Sequence, residues 1–233
     1  MAGYASPVVS LLRLPYMDAS ALTSCETAPL HSPLDREAAI GWMQENLPKQ
    51  RLSHVLRVET YAIELAKQHH LDVDRTAEAA LLHDLAKYFD PQRILAMVTA
   101  EGVAVDSVAA ADPRLLHADA SAIVARDEFQ RHDPEILSAI RNHTLGQPQM
   151  SLISCAVFLA DSLEPGRGTT MELKRMRRVS AENLHKGVWL VCDHTIQQLM
   201  QRKKSIHPRV VATRNWALSL SRNSPIPKNP ASK

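Results

Sequence analysis

Apolar residues recur along most of the chain at the spacing of an amphipathic helix. Residues 51–70 show the pattern clearly, because Leu52, Val55, Ala62 and Ala66 mark one apolar stripe among polar positions. Such a stripe predicts a helix with one buried face. The same reasoning predicts helices over residues 51–70, 74–85, 90–102, 133–143, 180–204 and 209–220.

Residues 150–163 are apolar almost throughout, which is typical of a buried central helix rather than a surface helix. No segment alternates apolar and polar residues as a half-buried strand would. The pattern therefore predicts an all-α fold.

Acidic and hydroxyl residues next to proline mark the predicted helix starts. Asp90-Pro91 and Asp133-Pro134 combine a capping side chain with proline in the first turn, and Asp74 is a third candidate cap. Ser32-Pro33 predicts the start of a first helix that ends near Asn46.

The chain is long enough for one domain with short flanking segments. Residues 1–32 are rich in Ala, Ser, Thr and Pro and are predicted to be a flexible extension, and residues 221–233 to be a disordered tail. The single domain is thus expected to span residues 33–220.

Charge and cysteine content exclude several classes of protein. The net charge is only +2 and aromatic residues make up 4%, which disfavours nucleic-acid binding through charge or stacking. Three cysteines without a CxxC pair, Cys25, Cys155 and Cys192, indicate neither a disulfide framework nor a zinc ribbon. No stretch is long and apolar enough to be a membrane helix, and a reduced, cytoplasmic location is expected.

Candidate chemistry begins at His83-Asp84, inside the apolar segment AALLHDLAK. An imidazole and a carboxylate in such a segment are costly to bury unless something pairs them, and a metal ion is one such partner. Taken alone, the pair is better interpreted as lying on the exposed face of a helix.

Four more ligand-type residues accompany this pair. His54 lies on an apolar stripe upstream, His117 and His143 follow or lie within helical segments, and Asp161 interrupts the apolar segment AVFLADSLEP. Either of the two middle histidines alone is better interpreted as a core or helix-end residue. Together the six side chains suit two metal ions bridged by a carboxylate, with iron, manganese or zinc preferred over calcium.

These residues carry a family resemblance. The chain resembles the HD-domain superfamily of metal-dependent phosphohydrolases, and within it the bacterial YqeK family of symmetrical bis(5′-nucleosyl)-tetraphosphatases. The matching stretches are RLSH (51–54), AALLHDLAK (79–87), LLH (115–117), AIRNHTLG (139–146) with Met150, FLADSLEPGR (158–167) and IHP (206–208) with Arg214-Asn215.

The resemblance implies a helical bundle with the metal site in its core. It implies that His54, His83, Asp84 and Asp161 hold one ion, and that His117 and His143 hold a second, with Asp84 bridging. The ions would be iron, with manganese, zinc or cobalt as alternatives. The implied reaction is hydrolysis of diadenosine tetraphosphate to two ADP by a metal-bound hydroxide, and homodimerisation stays open.

A polyphosphate substrate also needs cations and hydrogen-bond donors. Lys87, Arg51 and Arg167 are the candidate phosphate ligands, and Lys87 and Arg167 are expected to act with Asp84 in catalysis. Lys87 could instead complement a helix dipole. Further substrate contacts are expected from Thr144, Gly146 and Met150, although Met150 could simply be core.

Two rival functions remain at this stage. One is hydrolysis of another nucleotide, such as a dNTP, a cyclic nucleotide or an alarmone. The other is a non-catalytic module that binds nucleotide, which the complete set of six ligands argues against. The basic residues in 174–178 could contact substrate, but they are better interpreted as a solvated helix face.

Overall fold

The computed structural model describes residues 33–223, so the predicted extension at residues 1–32 and most of the predicted tail lie outside the described residues. The described part is all-α, as predicted, and its eleven α-helices lack the length and apolar character needed to cross a bilayer. Short 3₁₀ helices cover Pro113–Leu116 and Pro165–Arg167. The helices are α1 (Arg36–Asn46), α2 (Lys49–Gln68), α3 (Val73–Leu82), α4 (Pro91–Ala100), α5 (Ser107–Ala111), α6 (His117–Phe129), α7 (Pro134–Asn142), α8 (Leu152–Leu163), α9 (Met171–Glu182), α10 (Leu184–Gln201) and α11 (Pro208–Asn223).

Aspartate caps begin several of these helices. Asp90 and Asp133 each accept hydrogen bonds from backbone amides of the first turn, as predicted. Asp72, not Asp74, caps α3, and the first helix begins only after Asp35, whose side chain is its cap. The predicted starts of α1 and α3 were therefore displaced by a few residues.

The prediction of one helix over residues 180–204 is wrong. The chain breaks at Asn183, whose backbone is extended with φ −157°, so α9 ends there and α10 begins. The Asn183 side chain accepts a hydrogen bond from the Lys186 amide and thereby caps α10. Asparagine favours such caps because its side chain competes with helical hydrogen bonding.

Helix α8 lies at the centre of the molecule, as its apolar sequence predicts. Ile153 and Val157 pack into one hydrophobic cluster with residues of α1–α4, α6 and α7, while Leu159 and Leu163 pack into a second with α9–α11. Helices α2, α3, α7 and α10 all contact α8. Polar residues at the ends of these helices are therefore brought to one buried place.

Candidate metal centre and active site

All six predicted metal ligands meet in one cluster between these helices. His54 lies in the second turn of α2 and Asp161 near the end of α8, on facing helices. The other four ligands stand at helix ends, where the chain can turn a side chain inward. His83 and Asp84 follow α3, His117 begins α6 and His143 follows α7.

Asp84 divides the cluster into two groups. Its Oδ1 lies 3.3 Å from Nε2 of His117 and 3.5 Å from Nε2 of His143. Its Oδ2 lies 3.4 Å from Nε2 of His83. The two oxygens thus face different imidazoles.

His54 and Asp161, on the facing helices α2 and α8, lie on the same side of Asp84 as His83. Nε2 of His54 lies 3.0 Å from Oδ1 of Asp161, and Nε2 of His83 lies 3.9 Å from the same oxygen. Two groups have ligand atoms within 4.8 Å of one another and could each hold a metal ion: His54, His83 and Asp161, and His83, Asp84 and His143.

In each of the four histidines of the cluster, the ring nitrogen that points away from the other ligands, Nδ1, has a fixed hydrogen-bond partner. Nδ1 of His83, His117 and His143 lies 2.6, 2.7 and 2.8 Å from the carbonyl oxygen three residues earlier in the chain. Nδ1 of His54 lies 3.0 Å from Oε1 of Glu164. Because these partners only accept hydrogen bonds, each Nδ1 carries a proton, and Nε2 is the ring nitrogen that is left to bind a metal ion.

This donor set fits metal ions. Nε2 of His117 and Nε2 of His143 lie 3.0 Å apart, and both face Oδ1 of Asp84, so a cation among these three atoms would have three ligand atoms. Among the described residues, Nε2 of His83 and Oδ1 of Asp84 are buried polar atoms without a hydrogen-bond partner. Four imidazole nitrogens and two carboxylates suit iron, manganese or zinc.

Neighbouring charges set the pKa values of these ligands. Against the effect of burial, Asp84 and Asp161 raise the pKa of His83, so a metal ion bound there would displace a proton. Burial lowers the pKa of His143 to about 4, so this imidazole is neutral at pH 7. Burial alone would raise the pKa of Asp84, but His83, His117 and His143 hold that pKa well below its usual value. The pKa of Asp161 is likewise lowered, against its burial, by the hydrogen bond from His54 and by the charges of His83 and Arg167.

Comparison with known proteins places this cluster in a family. A model of the HD domain matches residues 51–166. The symmetrical bis(5′-nucleosyl)-tetraphosphatase of Halalkalibacterium halodurans is 31% identical over 185 residues, which cover 79% of this chain and 98% of the relative. The chain belongs to the HD-domain family.

Other relatives agree with this assignment. The symmetrical bis(5′-nucleosyl)-tetraphosphatase of Bacillus subtilis is 30% identical over 186 residues, covering 80% of this chain and 99% of the relative. A crystal structure from Clostridium acetobutylicum, of a protein described as a predicted HD superfamily hydrolase involved in NAD metabolism, is similar with a TM-score of 0.76 and 29% identity. The match covers 79% of this chain and 97% of that one. The resemblance to the YqeK-type family and the expectation of a phosphohydrolase are confirmed.

The basic side chains that were predicted to bind phosphate lie directly beside the candidate metal ligands. Arg51 donates a hydrogen bond of 2.8 Å to Oδ2 of Asp84, and Nζ of Lys87 lies 3.0 Å from Nε2 of His117. Arg167 was expected to reach beyond the metal ligands to phosphate, but its guanidinium donates to Oδ1 of Asp161 at 2.6 Å. Arg167 therefore also positions a ligand, while its side chain remains 39% exposed.

The other three predicted contacts separate into two kinds. Thr144 belongs to the centre, because its hydroxyl lies 2.9 Å from Nε2 of His143. The amide of Gly146 donates to the Asn142 carbonyl at 2.8 Å, and its expected contact with substrate stays a prediction. Met150 is 4% exposed and packs in the second hydrophobic cluster, which favours the core interpretation.

Glu164 is the functional residue that the sequence interpretation missed. Besides anchoring His54, its carboxylate accepts a hydrogen bond of 2.6 Å from Arg57, and these contacts lower its pKa to about 2 against the effect of burial. Glu164 follows Asp161 by three positions, and Arg57 follows His54 by three. A charged residue at this spacing shares the ligand's helix face, which was the available signal.

Two cavities adjoin the centre, and Arg167 lines both. One, of about 210 Å³, is lined by Arg51, Arg57 and the exposed ring of Tyr88. The other, of about 330 Å³, lies at the end of α8 beside α9 and α10; we call it the α10 cavity. A substrate that occupies both would therefore pass the metal ligands.

Two remaining sequence features also find their places. His207 caps α11, since its Nδ1 accepts a hydrogen bond of 3.1 Å from the Arg209 amide, and its Nε2 lies 2.8 Å from Asp106. In the basic run, Arg177 donates to the carbonyls of Leu163 and Glu164 at the end of α8. The other three basic residues of the run are exposed, which is the solvated face that the sequence indicates: Lys174, Arg175 and Arg178.

Proposed function

We propose that this chain is a metal-dependent symmetrical bis(5′-nucleosyl)-tetraphosphatase that hydrolyses diadenosine tetraphosphate to two ADP. The observation that carries the proposal is Asp84, whose two oxygens face separate groups of imidazoles inside a complete set of six ligands. The substrate and the symmetry of cleavage are supported by the names of relatives that match almost over their full lengths.

We assign the ligands to two ions, with iron preferred and manganese, zinc and cobalt as alternatives. When bound, the ions would polarise a phosphoryl oxygen and activate water for its attack on phosphorus. The first ion would be held by His54, His83, Asp84 and Asp161, and the second by Asp84, His117 and His143.

The protein itself supplies orientation and charge. Because Nδ1 of each histidine is anchored, the rings are already aimed at the centre and need no reorganisation when substrate binds. The ammonium of Lys87 and the guanidinium of Arg51 lie beside the ligands, where they would donate hydrogen bonds to the negative phosphoryl oxygens. The Thr144 hydroxyl would orient the attacking water through its own hydrogen bonds.

Arginines also account for binding a tetraphosphate. Arg51, Arg57 and Arg167 line the smaller cavity, and Arg167 continues into the α10 cavity. Guanidinium groups bind phosphate through two parallel hydrogen bonds, so this row suits a chain of phosphates better than a single one. A polyphosphate held by this row would place its middle at the metal ligands.

Product analysis after defined metal loading tests the proposal. The purified protein, loaded separately with iron, manganese, zinc or cobalt, is incubated with diadenosine tetraphosphate and its products are separated by chromatography. We expect ADP as the only product. AMP together with ATP would overturn symmetrical cleavage, and turnover of a dNTP, cyclic nucleotide or alarmone in its place would overturn the substrate.

Asp84→Ala tests the role of the shared carboxylate in the same assay. Because both ions would lose a ligand, we expect less than roughly 1% of wild-type turnover and loss of metal from both positions, with the helical circular-dichroism spectrum retained. The matched control is Asp74→Ala, which removes an exposed carboxylate from α3. Wild-type turnover in Asp84→Ala would contradict the two-ion assignment.

A further inference from the structure

The α10 cavity has the chemistry of a site for a nucleoside base. Asp161 and Arg167 line it, so it begins at the proposed phosphate-binding groups, and Met176 and Val191 give it a buried apolar wall. Gln198, half-buried on α10, contributes an amide to the lining. Its volume of about 330 Å³ lies within the range of sites that enclose small molecules. A flat heterocycle with polar edges matches an apolar wall beside an amide.

The smaller cavity has a different character. Three arginines line it, and at about 210 Å³ it is also the smaller of the two. Phosphate is the group that arginines arranged in this way bind. The base is therefore assigned to the α10 cavity and the phosphates to the arginine row.

A hydrogen-bond chain fixes the orientation of the Gln198 amide. Nδ1 of His194 lies 2.9 Å from Oε1 of Glu172, and since a carboxylate only accepts, this nitrogen carries a proton. Nε2 of Gln198 lies 2.7 Å from Nε2 of His194, and since an amide nitrogen only donates, this imidazole nitrogen is the acceptor. The network thus determines which end of the amide is nitrogen and which is oxygen.

An amide held in this way distinguishes adenine from guanine. One N–H of Gln198 is committed to His194, which leaves its other N–H and its carbonyl oxygen as a donor–acceptor pair. Adenine offers the complement, a donor at N6 and an acceptor at N7. Guanine presents acceptors at both O6 and N7, so its O6 would face the amide oxygen.

We infer that the α10 cavity binds one adenine of the substrate and that Gln198 selects adenine over guanine, held in register by His194. This inference rests on the proposed function for the identity of the reaction. The recognition itself depends only on a nucleotide whose phosphates reach Arg167.

Substrate discrimination tests the inference. The values of kcat/KM for diadenosine and diguanosine tetraphosphate are compared for wild type, Gln198→Leu and the control Gln201→Leu, whose exposed glutamine ends the same helix. We expect wild type to prefer the adenine substrate by roughly tenfold or more, the usual value of a two-bond base contact. In Gln198→Leu the preference should fall to about threefold or less, while Gln201→Leu keeps it.

A second variant separates recognition from loss of packing. In His194→Leu the amide remains but is free to rotate, so we expect a preference for adenine that lies between those of wild type and Gln198→Leu. Wild-type preference in Gln198→Leu, or no preference in wild type, would overturn the inference.

Titration calorimetry of ADP and GDP with the metal-loaded protein measures the preference for adenine without depending on hydrolysis. If neither tetraphosphate is hydrolysed, the proposed function fails. An ADP preference that disappears in Gln198→Leu would still support the α10 cavity as an adenine site, and equal binding of ADP and GDP by wild type would refute it.

Discussion

Glu164 shows how much of the centre depends on one residue outside the ligand set. Its carboxylate is 1% exposed and joins Nδ1 of His54 to the guanidinium of Arg57. In Glu164→Gln the acceptor oxygen remains but the charge is lost, so the His54 ring is held less firmly and its basicity falls. We expect metal affinity and kcat/KM to fall by roughly ten- to a hundredfold, as for other partners of metal ligands.

Metal titration and steady-state kinetics measure the two effects of Glu164→Gln. The control is Glu182→Gln, which removes the charge of an exposed glutamate at the end of α9. Equal metal affinity in Glu164→Gln and wild type would show that the contact with His54 has no influence on the centre.

Arg167 has two partners to lose, which changes what its substitution should do. A guanidinium on phosphate is worth about 1.5–3 kcal/mol, so Arg167→Ala should lower kcat/KM by roughly ten- to a hundredfold. Because Arg167 also donates to Oδ1 of Asp161, metal affinity at that position should fall in the same variant. Arg167→Lys keeps the charge but loses the two parallel hydrogen bonds, so its kcat/KM should lie between those of wild type and Arg167→Ala.

The control for Arg167 is Arg178→Ala, which removes an exposed arginine of α9. Metal affinity is measured by competition with a chromophoric chelator, and kcat/KM by ADP release. Wild-type kcat/KM in Arg167→Ala would eliminate the residue from substrate binding.

Among single residues, the candidate metal ligands could be predicted from the sequence, but the residues that hold them in place could not. Six ligand-type residues in apolar segments are recognisable from the sequence, because a buried imidazole or carboxylate requires a partner. The contact of Glu164 with His54 joins residues 110 positions apart, and only the packing of α2 on α8 brings them together. The close approach of Gly146 to Thr213 of α11 likewise joins residues distant in sequence and could not be predicted.

Helix α11 fixes the segment that carries His143 and Thr144. Arg209 donates hydrogen bonds to the carbonyl of Gly146 and to the side chain of Asn142, and the Thr213 hydroxyl donates to the Leu145 carbonyl at 3.0 Å. Gly146 has φ +61°, and a Cβ there would lie 2.5 Å from Cγ2 of Thr213. The glycine is therefore required by both backbone conformation and close approach.

Gly146→Ala should consequently destabilise the fold by two separate effects. The left-handed backbone costs about 1–2 kcal/mol for a residue with a Cβ, and the contact with Thr213 adds about 1–3 kcal/mol. Gly102→Ala is the matched control, since Gly102 has φ +72° but a Cβ there would meet no atom within 4 Å. Denaturant unfolding should show the larger loss of unfolding free energy in Gly146→Ala.

A second substitution isolates the contact. Thr213→Ser removes Cγ2 but keeps the hydroxyl that bonds the Leu145 carbonyl, so it should restore the contact part of the loss in Gly146→Ala. Equal losses in Gly146→Ala and Gly102→Ala would show that α11 yields freely at this point.

Helix α6 and the break between α9 and α10 were not predicted, because neither has a local signal in the sequence. Helix α6 is buried at nine consecutive residues, from His117 to Ala125, so it lacks the polar face that makes a helix visible in a pattern. The break between α9 and α10 falls at Asn183, without the glycine or proline that marks most helix ends. Amphipathic helices with an Asp-Pro start were predicted nearly to the residue, because both signals are local.

At the scale of the whole molecule, the metal centre joins elements that are distant in sequence. Its ligands come from α2, from the ends of α3 and α7, from the start of α6 and from α8. Without cations, four imidazoles and two carboxylates are gathered in a largely buried place, which is unfavourable. Bound ions would thus stabilise the folded chain as well as supply its chemistry, since the unfolded chain has no such site.

Metal removal should therefore lower the unfolding temperature. At an ion concentration about a hundredfold above Kd, one site stabilises the fold by about 2.7 kcal/mol, which for a domain of this size corresponds to about 5–10 °C. Differential scanning calorimetry of chelator-treated and reloaded protein measures the shift, and Asp84→Ala, which loses the shared ligand, should show little of it. Equal midpoints for treated and reloaded wild type would mean that the six residues do not hold metal in the folded state.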